Sequence, residues 1–421
     1  MSSKTMCPRR SQRCSTAASR EHTGHCPSKS ILICQSWAIV PIVGPPPAPN
    51  ILGRCGRLVL PYNPPNSYRE TMAKTQSKVR CAVIGLGMGR GHADGYMQCP
   101  DAQLVAVADI DAARVAPWRE KVGEGGCFTD YRAMLKQAKP DLVSVALPNA
   151  LHAPVTIDCL KAGCHVLCEK PMAMNVREAL AMQREAQKRR RKLGINLSFR
   201  FTPAARALKD LADDGFLGEV YHARTQWTRR DGFPKFGGWF GQKNLSGGGP
   251  LIDLGVHRID LAMWLMGSPA PVTVSAATHH KVGIPRAKAA GLKFDVEDFA
   301  AGFVRFDNGA SLVLEISWAG HQATQELMIT SVTGTKGTLV HRNDAQGQYN
   351  FLAEMFWEHR GHKLAGTLAV PRRELPSSYA DMVRAVVKNT DPLATAEDGI
   401  RIQRVLDGLY RSAKIGREIS V

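Results

Sequence analysis

VRCAVIGLGMGRGH, residues 79–92, sets the architecture of the chain. Its first six residues are an apolar run, which predicts a buried strand. The glycines that follow, Gly85 and Gly87, permit a tight turn and let backbone N–H groups approach a bound phosphate closely. The next helix would point its positive N-terminus at the same phosphate. The stretch therefore predicts a strand, a turn and a helix that together hold the diphosphate of a dinucleotide.

The third glycine of the dinucleotide fingerprint is displaced in this chain. Arg90 stands where that glycine is expected, and Gly89 and Gly91 flank it. A turn shorter by one residue, with Gly89 in the third role, would still let the helix pack closely on the strand. We therefore expect Gly85, Gly87, Met88 and Gly89 to contact the cofactor.

An acidic residue follows the next strand at the distance that a ribose-binding carboxylate requires. QLVAVA, residues 103–108, predicts a second strand, and Asp109 comes directly after it, 24 residues beyond Gly85. A carboxylate at this position accepts hydrogen bonds from the adenosine ribose and repels a 2′-phosphate. The sequence favours NAD as cofactor, with NADP as the alternative if Arg90 or Arg114 reaches that phosphate.

Two later strands end in polar turns. Residues 141–146 lead into LPNALH, and residues 165–168 lead into the EKP sequence. Ligands of open α/β sheets bind at the carboxyl ends of the strands, so both turns should border the nicotinamide. The asparagine and histidine of the first turn are explained equally well by a structural role, in which they form the turn and begin the next helix. The residues that we predict to contact the cofactor here are Pro148, Asn149, His152, Glu169 and Lys170.

A second motif, SGGGPLIDLGVHRID at residues 246–260, combines glycines with an acid and a histidine. In an α-helix the spacing of four between Asp253 and His257 puts both on one face. A carboxylate there can orient the imidazole, and an imidazole is the usual base near neutral pH. An amphipathic helix whose acid and histidine merely happen to be neighbours is the competing interpretation.

Length and composition predict two domains preceded by an extension. The chain has 421 residues, 44% of them hydrophobic, which is long for one domain. We place a disordered or non-native extension at 1–76, a nucleotide-binding domain at 77–197 and a second α/β domain at 198–421. The first 71 residues contain ten of the 25 prolines and nine Lys or Arg against two Glu. This composition predicts disorder. A targeting peptide is the alternative to translated leader sequence before Met72.

The remaining composition excludes several classes of protein. No apolar run reaches the length of a membrane span, and the cysteines show no zinc spacing, so we expect no membrane partner and no metal. The net charge of +18 is inflated by the extension. The basic run at 188–192 closes a helical pattern, where cations suit the C-terminus, so nucleic acid is not expected. The sequence predicts a cytoplasmic protein.

Motifs spread over residues 79–421 resemble one known family. GLGMGRGH, VADID, PNALH, GCHVLCEKP, SGGGPLIDLGVHRID, VEDFAAGFVRFDNGASL and AEDGIRIQRVLDGLYRSAKIGR occur in this order. They resemble the family of glucose-fructose oxidoreductase, inositol 2-dehydrogenase and the rhizopine-catabolism protein. The resemblance implies a Rossmann domain followed by an α/β domain with a large, open, mostly antiparallel sheet. It also implies a homodimer or homotetramer formed through that sheet.

The resemblance implies the roles of the site residues as well. Lys170 would hold the reacting oxygen of a sugar, sugar derivative or cyclitol, and His257 would remove its proton. Asp253 would bind a neighbouring hydroxyl or orient the histidine. Arg200 and Trp239 are further candidates to line the sugar pocket. The favoured activity is hydride transfer between NAD and a secondary alcohol or ketone.

Two other activities fit the same motifs. An NAD-dependent glycosidase of this family would oxidise the sugar transiently and release an aglycone without net NADH. A non-catalytic sugar sensor with this fold would not need both EKP and the acid and histidine of the second motif. The identity of the sugar or cyclitol is not encoded in any of these motifs.

Overall fold

A computed structural model of the protein describes residues 59–61, 77–344, 349–370 and 376–421. The predictions for the other residues of the extension lie outside this part. No helix within the described ranges combines the length and the apolar character needed to cross a membrane. The six cysteines from Cys81 onward are unpaired, as expected.

The first sheet is parallel throughout and has six strands in the order β4-β3-β2-β5-β6-β7. The strands are β2 (Val79–Ile84), β3 (Ala102–Ala108), β4 (Cys127–Phe128), β5 (Leu142–Val145), β6 (His165–Cys168) and β7 (Leu193–Ile195). The helices between them are α1 (Gly89–Gln98), α2 (Ala112–Val115), α3 (Arg119–Val122), α4 (Tyr131–Ala138), α5 (His152–Lys161) and α6 (Val176–Arg189). This is the predicted Rossmann arrangement, with β2 beside both β3 and β5.

One strand of this sheet was missed by the sequence interpretation. The helical pattern at 175–193 predicts one long helix, but α6 ends at Arg189 and Arg190 takes a left-handed conformation with φ of 54°. Leu193 then begins β7, which has three residues, too few to show a pattern that would identify a strand. The basic run is exposed at the end of α6, as expected.

The second sheet has ten strands in the order β1-β15-β14-β13-β12-β8-β11-β10-β9-β16. Its strands are β1 (Val59–Pro61), β8 (Val220–Arg229), β9 (Pro271–His279), β10 (Phe299–Phe306), β11 (Ser311–Ser317), β12 (Glu326–Gly334), β13 (Gly337–Asn343), β14 (Phe351–His359), β15 (His362–Ala369) and β16 (Ile419–Ser420). Only β8 with β11 and β1 with β15 run parallel within the described residues. The mostly antiparallel sheet is confirmed, and Asp307 to Gly309 form the predicted hairpin between β10 and β11.

Helices cover one face of this sheet and lead back to the first one. They are α7 (Pro203–Asp213), α8 (Lys243–Ser246), α9 (Val256–Leu265), α10 (Gly283–Ala289), α11 (Ser378–Lys388) and α12 (Ala396–Ile415). Helices α7, α9 and α12 pack on the ten-stranded sheet, whereas α11 packs against α1, β2 and β6. The buried Met382 and Val383 of α11 belong to the core of the Rossmann sheet. The chain after residue 198 therefore contributes to both layers.

The strand β1 lies inside the segment predicted as a disordered extension. Val59, Leu60 and Pro61 pair in parallel with Thr367, Leu368 and Ala369 at the free edge of β15. An edge is the position in a sheet where proline is tolerated. This pairing is the described part of the extension, and it adds the tenth strand to the sheet.

Candidate active site

A cavity of about 1100 Å³ lies between the carboxyl ends of the Rossmann strands and the helix that carries the second motif. Its volume is at the upper end of single-ligand clefts, which are about 300 to 1,000 Å³. Residues of both sheets line it, among them Gly87, Asp109, Lys170, Asp253 and His257. The two motifs that lie far apart in the sequence therefore meet around one space.

The glycine turn fits a diphosphate for steric reasons. Gly85 has φ of +89°, and a Cβ there would lie 2.2 Å from the carbonyl oxygen of Ala146. Gly89 begins α1, and a Cβ there would lie 2.8 Å from a methyl of Val83. Gly89 thus takes the role of the third glycine, as the shorter turn required. Met88 is 71% exposed and lines the cavity beside this turn.

Asp109 lies at the end of β3 with both carboxylate oxygens held by the backbone. Oδ2 accepts the N–H of Leu86 at 2.7 Å, and Oδ1 accepts the N–H of Asp111 at 2.9 Å. The guanidinium of Arg114 lies 3.7 Å from Oδ2 and is more than half exposed. The backbone therefore fixes the orientation of the carboxylate, and an exposed cation lies next to it.

The turn after β5 is tied to the second motif. Asn149 is buried and donates its amide N–H to the carbonyl of Ser246 at 2.6 Å. Pro148 and Asn149 both line the cavity.

His152 does not line the cavity, contrary to the sequence expectation. Its ring is fully buried, with Nδ1 2.7 Å from the carbonyl oxygen of Pro171 and Nε2 2.8 Å from that of Leu147. Burial lowers its pKa, although the two carbonyls oppose this. His152 therefore holds together the turns after β5 and β6, and its effect on a ligand is indirect.

Glu169 forms a polar cluster with two residues that the sequence analysis did not select. Its Oε1 accepts hydrogen bonds from the amide of Asn196 at 2.6 Å and from Nε2 of His92 at 2.7 Å. Burial alone would raise the pKa of Glu169, but these partners, with the charge of Lys170, lower it to about 2. The carboxylate is thus ionised at the cavity wall. Lys170 and Pro171 follow Glu169, and the peptide bond between these two residues is cis.

Lys170 and Asp253 form an ion pair across the cavity wall. Nζ of Lys170 donates to Oδ1 of Asp253 at 2.9 Å and to its backbone carbonyl at 2.9 Å. Oδ2 of Asp253 accepts the indole N–H of Trp318 at 3.2 Å. Both charged side chains remain about one-sixth exposed, at 17% and 16%. An ammonium held in this way keeps a donor available to an oxygen in the cavity.

The side chain of Asp253 bonds Lys170 and Trp318. Residues Leu251–Gly255 form a π-helical turn, and α9 begins at Val256. Among the described residues, Nδ1 of His257 has no hydrogen-bond partner. π turns often occur at functional sites.

The surroundings of His257 keep its imidazole neutral. The ring packs against Phe199 at 4.9 Å and Trp227 at 5.8 Å between centroids, and only 8% of the residue is exposed. Burial is the main reason that the pKa of His257 lies well below 6.5, and the positive charges of Lys170 and two arginines lower it further. The negative charge of Glu169 acts in the opposite direction. A neutral imidazole at the cavity can accept a proton.

The glycine run brings this turn against a buried carboxylate. Glu297 accepts the N–H of Gly249 at 2.9 Å and that of Leu251 at 3.2 Å, and it accepts the hydroxyl of Tyr410 at 2.7 Å. A Cβ on Gly248 would lie 2.0 Å from the hydroxyl oxygen of Tyr410. Close approach is thus the reason for consecutive glycines, and Glu297 satisfies the free N–H groups of the helix start.

Substitution Gly249→Ala should destabilise the protein. Its Cβ would lie 2.0 Å from the backbone oxygen of Glu297, which cannot move without shifting a strand. We expect a loss of about 1 to 3 kcal/mol, typical of overpacking, measured by thermal unfolding. Gly125→Ala is the matched control, because a Cβ there meets nothing within 4 Å. Equal melting temperatures for the two variants would contradict this account.

Arg200 is not among the cavity-lining residues, which corrects the expectation that it contacts sugar. Its guanidinium is 3% exposed, bonds Asp260 at 2.6 and 2.9 Å and reaches Asp398 at 3.1 Å. These partners raise its pKa, although burial opposes this. Arg200 joins α9 to α12. Trp239, in contrast, lines the cavity and stacks on Phe240 at 3.8 Å between centroids.

Several residues around the cavity were not selected from the sequence. The lining includes His92, Asn196, Phe199, Trp227, Arg229, Tyr349 and Tyr379, and Trp318 donates its indole N–H to Asp253. His92 is the last residue of the glycine-rich stretch, and its position one turn into α1 was a usable signal. The others lie in segments that no motif marks, and only the packing reveals how these segments are oriented.

Apart from β1, both sheets of the chain fall within regions that match known proteins. Residues 79–197 match the oxidoreductase family described by its NAD-binding Rossmann fold, and residues 209–421 match the C-terminal alpha/beta domain of the same family. The chain belongs to the Gfo/Idh/MocA oxidoreductase family. It therefore has the NAD-binding Rossmann domain of these enzymes, and its relatives include oxidoreductases named for sugars and cyclitols.

Two curated members of the Gfo/Idh/MocA family show the range of this similarity. D-glucoside 3-dehydrogenase of Escherichia coli is 35% identical over 83% of this chain and 99% of its own length. Myo-inositol 2-dehydrogenase of Thermotoga maritima is 26% identical over 76% of this chain and 92% of its own length.

Solved structures of related proteins share the fold across both sheets. Aldose-aldose oxidoreductase from Caulobacter crescentus, complexed with glycerol, has a TM-score of 0.70 and 25% identity, covering 82% of this chain and 100% of its own. GenD2 from gentamicin A biosynthesis, in complex with NAD, has a TM-score of 0.68 and 27% identity, covering 84% of this chain and 99% of its own.

Proposed function

We propose that the protein is an NAD-dependent dehydrogenase that oxidises a secondary hydroxyl of a sugar or glycoside. The observation that carries the proposal is the convergence of Lys170, Asp253 and His257 on the cavity that also contains the glycine turn and Asp109. The similarity to D-glucoside 3-dehydrogenase favours a glycoside over a free cyclitol.

The glycine turn and the strand ends around it support NAD as the cofactor. Gly85 and Gly89 leave room for the diphosphate, Asp109 would bind the adenosine ribose, and Pro148 and Asn149 would border the nicotinamide. When bound, NAD supplies the hydride acceptor. The protein residues then need only hold the sugar and move one proton.

Lys170 and His257 would act on the same substrate oxygen. The ammonium of Lys170 is fixed by Asp253 and would donate to the hydroxyl, stabilising negative charge as the proton leaves. The neutral imidazole of His257 would accept that proton. Asp253, held by Trp318, is placed to accept a hydrogen bond from a neighbouring hydroxyl.

The aromatic part of the cavity lining is suited to a pyranose ring. It consists of Phe199, Trp227, Trp239, Phe240 and Tyr349, and Arg229 also lines the cavity with its charge balanced by Glu326 at 2.7 Å. Such a wall presents aromatic surface with few polar groups, the usual composition of a small-molecule pocket. Trp239 remains our candidate for the surface that contacts the sugar ring, and Phe240, which stacks on it, is added to that surface.

The proposal is tested by incubating the protein with NAD and a panel of glucosides, free hexoses and inositols. We expect net NADH, followed at 340 nm, with glucosides as the best substrates. Release of an aglycone without net NADH would favour the glycosidase activity. Binding of sugar and NAD with neither product would favour a sensor.

Cofactor preference should depend on Asp109. Loss of hydrogen bonds to a charged group costs about 1.5 to 3 kcal/mol, so Asp109→Ala should weaken NADH binding about 10-fold or more. NADPH should lose less, because Arg114 is released from the carboxylate and no longer opposed by it. Fluorescence titration measures both constants. Glu124→Ala, which removes an exposed acid paired with Arg119, is the control, and an equal loss for both cofactors would contradict the assignment.

We also propose that copies of the chain associate through the uncovered face of the ten-stranded sheet. Phe303, Val313 and Phe356 share that face, opposite the helices, and Val313 and Phe356 are 37% and 41% exposed. Light scattering of the purified protein measures whether it is a dimer, a tetramer or a monomer.

A further inference from the structure

Helix α11 completes the Rossmann layer from near the end of the chain. It is separated from α1 by almost 280 residues, yet it packs on α1 and on strands β2 and β6. Met382 is fully buried and Val383 is 1% exposed in this contact. The N-terminal end of α11 therefore has a fixed position, and Tyr379 lies in its first turn.

The ring of Tyr379 occupies a groove made by glycines of α1. A Cβ on Gly95 would lie 2.2 Å from Cδ2 of this ring, and a Cβ on Gly91 would lie 3.8 Å from the hydroxyl oxygen. The ring also packs against His92 at 4.7 Å and Tyr96 at 5.9 Å between centroids. The groove directs the hydroxyl toward the first turn of α1, where the glycine turn would hold the diphosphate.

Tyr379 faces the cavity beside a polar cluster. It lines the cavity together with His92, Glu169 and Asn196. Burial, then the charge of Glu169, raises the pKa of Tyr379 to about 12, with the Asn196 amide opposing. The phenol is therefore un-ionised at neutral pH and can donate its O–H.

We propose that the Tyr379 hydroxyl binds the cofactor at the phosphate and ribose of its nicotinamide half. The first turn of α1 supplies backbone donors to the diphosphate, and Tyr379 adds a side-chain donor on the side where β6 and β7 end. The Rossmann domain would thus depend on one residue from the far end of the chain.

Tyr379→Phe tests the proposal, since it removes the hydroxyl and keeps the ring in its groove. We expect the dissociation constants of NADH and of ADP-ribose to rise about 10-fold, the loss of one hydrogen bond to a charged group. AMP, which lacks the second phosphate and ribose, should bind as it does to the wild type. The melting temperature without ligand should not change.

Three outcomes would overturn the proposal. Unchanged NADH affinity would make Tyr379 purely structural. Loss for NADH with none for ADP-ribose would place the contact on the nicotinamide. Equal loss for AMP would indicate general damage to the domain. Tyr221→Phe, an exposed residue of the other sheet, is the matched control and should bind all three ligands normally.

Gly95→Ala gives a second, independent variant. Its methyl would displace the Tyr379 ring, so both stability and NADH affinity should fall. Adding Tyr379→Ala would remove the clash but also the ring and its hydroxyl, so the affinity should not recover. Restored affinity in the double variant would contradict a binding role for Tyr379.

The inference rests on NAD as the cofactor but not on the sugar reaction. A wild-type protein that binds no NADH would remove both this inference and the proposed function. A wild type that binds NADH, with a Tyr379→Phe variant that binds it equally well, removes this inference alone.

Discussion

His257→Ala is expected to lower kcat by about 10² to 10⁴, the usual contribution of a positioned base. The imidazole is neutral and lines the cavity. NADH affinity should stay nearly unchanged, because the ring lies on the wall formed by Phe199 and Trp227, away from the glycine turn and Asp109.

The pH profile separates a base from a structural histidine. Because the pKa of His257 is held well below 6.5, the imidazole stays neutral on mild acidification. The wild-type kcat/KM should therefore keep its plateau below pH 6.5 and fall only at lower pH, as His257 gains a proton. In His257→Ala this acid limb should disappear. His280→Ala, an exposed histidine outside the cavity, is the control.

A His257→Ala enzyme with near-normal turnover and the wild-type acid limb would falsify the assignment. The helix that follows SGGGPLIDLGVHRID would then be scaffold, and another group would have to accept the proton.

Lys170→Met should lower kcat by a similar factor of about 10² or more. The substitution keeps an unbranched side chain of comparable length but removes the ammonium that would contact the substrate oxygen. It also leaves the carboxylate of Asp253 with Trp318 as its remaining side-chain partner. Thermal unfolding checks that any loss of activity is not a loss of fold. Lys363→Met, an exposed lysine on β15, is the matched control.

Lys170 and His257 should not be independent. Two groups that act on one oxygen form a unit, so the double variant should be little slower than the poorer single variant. Asp253→Asn should raise KM and cost less in kcat, because the amide still bonds its neighbours but does not attract a hydroxyl proton as strongly. Fully multiplicative losses for the double variant would contradict action on a common oxygen.

Lys170→Met should also move the acid limb of the remaining activity. The ammonium of Lys170 is, after burial, the strongest influence that lowers the pKa of His257. Its removal lets that pKa rise toward 6.5, so the imidazole becomes protonated at a higher pH. The limb should therefore shift upward in Lys170→Met, and an unshifted limb would argue against electrostatic coupling of the two residues.

The sequence by itself determined the nucleotide half. A continuous apolar run, a glycine turn and an acid after the next strand are local signals, and parallel strands bring their carboxyl ends together at one edge. Gly85, Gly89, Asp109, Asn149 and Lys170 lie where these rules place them.

Only the tertiary structure decided which side chains pair. Spacing predicted Asp253 beside His257, but in the folded chain the acid pairs with Lys170, 83 residues away in the sequence. The sequence predicted that Arg200 contacts the sugar, whereas in the folded chain its guanidinium forms ion pairs with Asp260 and Asp398.

The physical reason is that local patterns report backbone conformation, whereas pairing depends on packing between distant elements. Glu297 and Tyr410 lie 113 residues apart and meet because Gly248 and Gly249 have no side chains to keep them away. Gly95 makes room in the same way for Tyr379, which arrives from near the other end of the chain. A sequence shows that such glycines exist, and only the folded chain shows what fills the space beside them.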